Sequence, residues 1–131
     1  MLVKPAEGWA DAAWDPAAEA LHGLSTAKLA RAGRSPGIVC ETMNDALAGA
    51  DVYSDAPDWD GFWLYRLFDA AKVRRRFELQ NFAELFEGVS PARFAEAKAL
   101  AQAKTPHRHR ARPDVLHMRA LYSLIIDDAG A

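Results

Sequence analysis

The chain has 131 residues, half of them apolar and 26% charged, with a formal net charge of -2. That is enough length for one core and the composition of a globular rather than a disordered protein. Its longest apolar runs, residues 62–65 and 124–126, fall far short of the roughly 20 residues a membrane span needs, and the single Cys40 excludes an intrachain disulfide or a multi-cysteine metal site. The first residues carry Lys4 and then Glu7, Asp11 and Asp15, without the basic start and apolar centre of a secretory leader. The expectation is a cytoplasmic protein with one domain over 1–131, in which residues 1–14 form a loosely ordered arm.

Punctuation sets the elements in chain order. Asp15-Pro16, Ser35-Pro36, Ser90-Pro91 and Arg112-Pro113 each place proline where a helix can begin, because its missing amide would be unpaired in the first turn and Asp or Ser before it can accept from the next free amides. A fifth start is expected at Asp58. Gly33, Gly49, Gly88 and Thr105-Pro106 mark stops. Helices are therefore predicted over 16–32 (broken at Gly23, with Ser25 recapping), 36–49, 59–76, 78–87, 91–104 and 113–127. No stretch alternates apolar and polar residues for long enough to read as a strand, and no Asn-Gly or Asp-Gly hairpin turn occurs. The predicted class is all-α, a compact single-domain bundle of five or six short to medium helices. Ser35-Pro36 and Ser90-Pro91 share their capping grammar, but two units are too few for a repeat array.

Residues 59–94 hold nine of the thirteen aromatic residues. Trp59, Phe62, Trp63, Leu67, Ala70 and Ala71 recur at steps of three and four, which predicts one helical stripe buried in the core. On that reading Trp63→Ala or Leu67→Ala should cost roughly 2 to 5 kcal/mol, and Arg75→Ala far less. Other rings, among Trp9, Trp14, Tyr53 and Tyr65, exceed what one small core hides and are expected at the surface.

Charge is uneven. Residues 1–65 carry ten acids against four bases, and residues 66–131 eight acids against twelve bases, which suggests a polarised surface. Asp51, Asp55, Asp58 and Asp60 read as a solvated loop leading into a helix start, and their spacing lacks the central glycine and closing glutamate of a calcium loop. Lys72-Val73-Arg74-Arg75-Arg76 is placed late in the aromatic helix, with Glu78 in reach of Arg74 and Arg75. His107, Arg108, His109, Arg110 and Arg112 lie between two prolines and are expected in a loop. With Lys98, Lys104 and Arg119 they form the most positive region of the chain, suited to phosphates or to an acidic protein face. His107, His109 and His117 fall within eleven residues, but arginines among them oppose a divalent cation. Cys40, beside Val39 and Met43, reads as a small core residue.

Residues 25–47 resemble a helix-turn-helix: a short helix, a turn at Ala32-Gly33, and a second helix opened by Ser35 with Val39 and Met43 facing inward. The resemblance implies DNA binding by the second helix. The pattern departs at Leu29, where a small residue normally lets the helices cross, and at Arg34, where an apolar residue normally plugs the turn. Glu41 and Asp45 on the second helix repel phosphate.

No phosphate-binding glycine loop, nucleophile elbow or His-Glu-x-x-His run occurs. The expected function is a protein-binding, regulatory or adaptor module acting through an aromatic and charge-polarised surface, neither an enzyme nor a cofactor protein. Candidate contact residues are Tyr53, Lys104, His107, Arg108, His109, Arg110, Arg112 and Arg119. The expected partner is another protein, no membrane is involved, and self-association stays open. The alternative is nucleic-acid binding through Arg108, Arg110 and Arg112.

Overall fold

The computed structural model describes residues 1–9, 14–108 and 110–127. The class is all-α, with six α-helices and one two-stranded sheet among the described residues. The chain divides into two units, Met1–Phe82 and Ala83–Ala131.

In the first unit the capping residues act as their chemistry requires. Helix α1 spans Pro16–His22, opened by the Asp15 carboxylate accepting from the Ala17 amide at 2.8 Å and closed by Gly23 at φ 68°. Ser25 recaps at once and α2 runs over Thr26–Ala32, so the predicted break at Gly23 is present. Gly33 ends α2 at φ -74°, and its role there is space. A Cβ would stand 2.4 Å from the Lys4 nitrogen, because residues 2–4 pair with Arg34: Lys4 N–H donates to the Arg34 carbonyl at 2.8 Å and Arg34 N–H to that of Leu2 at 2.9 Å. Helix α3 spans Pro36–Leu47 under the Ser35 cap.

A strand follows that alternation could not reveal. β1, Val52–Ser54, lies parallel to β2, Leu79–Asn81, with Val52 opposite Leu79, and helix α4, Pro57–Ala71, is the crossover between them. Parallel strands need such a crossover, and three residues are too few to show a period of two. The predicted helix over 78–87 is thereby corrected: β2 occupies its start and a 3₁₀ turn, Phe82–Phe86, its remainder.

Helix α4 corrects the aromatic stripe. Its start is two residues earlier than expected, with Ala56 at the cap, Pro57 first and no side-chain cap bond. Trp59 and Trp63 are 69% and 58% exposed, and Phe62 is 46% exposed, so these rings are not core. The inward stripe is Leu64, Phe68 and Ala71: Phe68 is 5% exposed and meets Phe77 edge-on, with ring centroids 6.0 Å apart, beside Cys40. Leu67 of the predicted stripe is half-buried and packs on this cluster, as do Met43, Leu47, Val52 and Val73. A periodicity of 3.6 shows that a stripe exists; the neighbouring elements decide which stripe is covered.

The helix also ends earlier than 76. Lys72 adopts φ 54°, ψ 33°, the left-handed conformation, with its N–H on the Asp69 carbonyl at 3.1 Å and the next amide, Val73, on Phe68 at 3.2 Å. That is the reverse turn that usually takes glycine. Residues 72–76 therefore lie beyond the helix, not in its last turns.

In the second unit Ser90 caps α5, Pro91–Lys104, whose small Ala97 and Ala101 are buried. Helix α6 spans Ala111–Tyr122 and continues into a π turn, Ser123–Asp127. It starts two residues before the predicted Pro113, which is tolerated because an amide in the first turn has no helical partner. Arg112 is consequently helical rather than in a loop. His117, Leu121 and Ile125 form the buried side, and Phe86 meets Phe94 edge-on at 5.4 Å. No described helix is long and apolar enough to cross a membrane.

Candidate interaction surface

The exposed face of α4 is built from Trp59, Phe62, Trp63 and Tyr65, the last 67% exposed. Crossover packing commits Leu64, Phe68 and Ala71 to the sheet and to α3, and the 3.6 period then turns the rings toward water. Phe62 and Trp63 meet edge-on at 5.1 Å, and the Arg66 guanidinium lies 6.0 Å from the Phe62 ring centre, near the limit of a cation–π contact. Charge runs along the same helix. Asp58 and Asp60 occupy its first turn, Asp60 accepting from the Ser54 hydroxyl; Arg66 is a base within the helix, and Asp69 in the last turn pairs with Lys72 just beyond it at 3.0 Å.

Beyond the helix, residues 74–76 are held by a buried amide. Asn44, 1% exposed on α3, donates from Nδ2 to the Arg74 carbonyl at 2.9 Å and accepts from the Arg76 N–H at 2.8 Å. Both bonds fix the backbone on either side of Arg75, so the directions of three arginines are set by one side chain. Each arginine is used differently. Arg76 pairs with Glu41 at 3.2 Å and Asp45 at 2.8 Å. Arg75 covers the Phe77 ring at 5.5 Å and stands 3.6 Å from Glu78. Among the described residues no acid pairs with the Arg74 guanidinium. Glu41 and Asp45, the acids that set α3 against a DNA-reading role, thus serve the fold by holding Arg76.

The predicted contact residues are distributed as follows. Tyr53 is half-buried in the middle of β1, opposite Gln80, within the first unit. In the second unit Lys104 is the exposed last residue of α5 and Arg110 the exposed residue before α6. Asp114 organises the connection: its carboxylate accepts from the Arg108 amide at 2.8 Å and stands 3.7 Å from His107 Nε2. His107 is half-buried edge-on to His117 at 5.8 Å, and His117 Nδ1 lies 2.8 Å from the Thr105 carbonyl. Those rings have structural partners, and no three metal-ligating side chains converge among the described residues. His109 lies outside the described residues. Arg112 and Arg119 are brought together on one exposed stripe of α6, with Val115 and Leu116 between them.

Cys40 has no exposed surface, and its Sγ is 3.8 Å from the Leu67 carbonyl. Burial, with the Glu41 charge second, holds the thiol above its ordinary value, which disfavours the nucleophilic thiolate.

Sequence reasoning missed the α4 face as a surface and the fixed loop at 72–76. The first was legible as an excess of rings over what a single core can hide; the second leaves no local signal, since lysine in a left-handed turn is unexpected from composition. No protein-family model, curated protein or solved structure matches this chain.

Proposed function

We propose that this chain is a protein-recognition module, adaptor or regulator, whose contact surface is the exposed face of α4. The observation that carries the reading is the presence of four large exposed rings, Trp59, Phe62, Trp63 and Tyr65, within seven residues of one helix. Tryptophan and tyrosine dominate interface hot spots because they bury large area for few rotatable bonds, and a rigid helix presents them preformed. The Asp58 and Asp60 carboxylates in the first turn of α4 would help orient a partner. A cytoplasmic location agrees with the lone, reduced-state cysteine.

Selection of a displayed peptide library on the full chain tests this. Binding should enrich peptides whose affinity drops at least tenfold against Trp59→Ser/Trp63→Ser and holds against Val115→Ser. Enriched peptides indifferent to the α4 change would overturn the reading.

Nucleic-acid binding is the second reading. Arg110 and Arg112 sit at the start of α6, where a helix dipole gives cations no stabilisation, and both are exposed. Neutralising Arg108, Arg110 and Arg112 should flatten the salt dependence of oligonucleotide binding, and absence of binding at micromolar protein and low salt would end it. The exposed Val115 and Leu116 beside Arg112 suit a protein contact better than phosphates.

A further inference from the structure

The reverse turn that closes α4 does more than end a helix. Val73, on its far side, folds back toward Phe68, the contact that normally accompanies this turn. With Leu64 and Leu79 these two side chains line a cleft of about 590 Å³, separate from the outward stripe of Trp59, Phe62 and Trp63. Tyr65, Asp69, Lys72, Arg74 and Arg75 are also among the lining residues. The cleft is open to solvent, and its lining combines apolar side chains with a few charged groups, the two kinds of group that small-molecule sites use for affinity and orientation.

The backbone that carries the cations is fixed. Asn44 clamps the backbone at Arg74 and Arg76, Arg76 is spent on Glu41 and Asp45, and Arg75 is spread on Phe77. Arg74 is left without an acid among the described residues. The one acid in the cleft, Asp69, is engaged by Lys72 at 3.0 Å in an exposed pair that water screens. Lys72 also occupies a left-handed position at φ 54°, where glycine would relieve the backbone. A stability-driven choice would be glycine; lysine adds a cation at the mouth of the cleft.

We propose that this cleft binds a small organic anion, a carboxylate, sulfonate or phosphate carried on a flat or branched apolar body. The body would lie on Leu64, Phe68, Val73 and Leu79, and the anion would meet Arg74 and Lys72. It shares Tyr65 with the α4 outer face but none of Trp59, Phe62 and Trp63, so different substitutions test the two sites.

Two dyes that share a body and differ in charge make the test. The full chain is titrated at low salt with 8-anilinonaphthalene-1-sulfonate and with the uncharged N-phenyl-1-naphthylamine, with fluorescence as readout and amide shifts to locate the contact. The sulfonate should bind at one site, perturb Val73 and Leu79, and exceed the neutral dye about tenfold, as one or two charge-assisted contacts provide. Arg74→Gln and Lys72→Gly should each weaken the sulfonate about threefold, and the double variant about tenfold to the level of the neutral dye, while the neutral dye is unchanged. Lys72→Gly should at the same time unfold at an equal or higher denaturant midpoint than the parent, which separates loss of the site from loss of the fold. Trp63→Ser should bind as the parent does. Equal affinity for the two dyes, no saturable binding, or binding that survives Lys72→Gly and Arg74→Gln but is lost in Trp63→Ser would each overturn the proposal.

Discussion

Helices α4 and α6 turn the same spacing toward water. In α4 the exposed positions i, i+3, i+4 and i+7 are Trp59, Phe62, Trp63 and Arg66; in α6 they are Arg112, Val115, Leu116 and Arg119. Both helices also keep an inward stripe, Leu64 and Phe68 in one and His117 and Leu121 in the other. The difference lies in what is left outside. Two aliphatic side chains between arginines are ordinary surface, because folded proteins expose much apolar area. Three adjacent aromatic rings forgo far more burial, since each large ring can hide 150 to 250 Å² on the order-of-magnitude scale for such side chains. Helix α4 leaves Trp59, Phe62 and Trp63 outside while burying Phe68, and that exposed area is the observation on which the proposed contact surface rests.

The comparison can be broken at the inward stripes first, where effects are largest. Phe68→Ala in α4 should cost about 3 to 5 kcal/mol and Leu121→Ala in α6 about 2 to 5 kcal/mol by denaturant unfolding, because both empty a packed site. Losses under about 1 kcal/mol at either position would mean the inward stripe has been assigned to the wrong face. Asn44→Ala comes next. It strips the Arg74 carbonyl and the Arg76 amide of their partner and should cost about 2 kcal/mol, and amide exchange at Arg76 should quicken while exchange in α6 stays as in the parent.

A smaller effect sharpens the inward side of α4 by way of Cys40. Its thiol is held above the ordinary value in the folded chain, so on going alkaline the unfolded chain loses this proton first. The associated stability is present below the ordinary thiol value and is lost as pH rises above about 8.5 and on through the folded value. Parent and Cys40→Ala should therefore diverge in the pH dependence of their unfolding midpoints only on the alkaline side, and iodoacetamide should label the native thiol slowly at neutral pH. Fast labelling would place Cys40 outside the core.

Much of the fold was legible because its punctuation is local. Asp15, Ser25, Ser35 and Ser90 each cap a helix, and Gly23 breaks the first pair as their side chains dictate. What was not legible depends on distant partners. β1 and β2 are three residues each and exist through each other, so the segment read as a helix over 78–87 carries no sign of the pairing. The stripe of α4 was visible as a period, but which side α3 and the sheet would cover is a tertiary choice. Lys72 ends α4 through a conformation that lysine does not announce. Of the contact residues read from charge, Arg112 and Arg119 do share an exposed stripe, whereas His107 is occupied by Asp114 and by the ring of His117.

The central claim is that the rings of α4 face water in the isolated chain. Acrylamide quenching of the monomeric protein tests it directly, with Trp59→Phe and Trp63→Phe variants used to assign the signal among four tryptophans. Trp59 and Trp63 should be quenched nearly as readily as free indole, and Trp9 and Trp14, both half-buried, less. Shielding of Trp59 and Trp63 in a chain shown to be monomeric under the same conditions would contradict it and return these rings to the core.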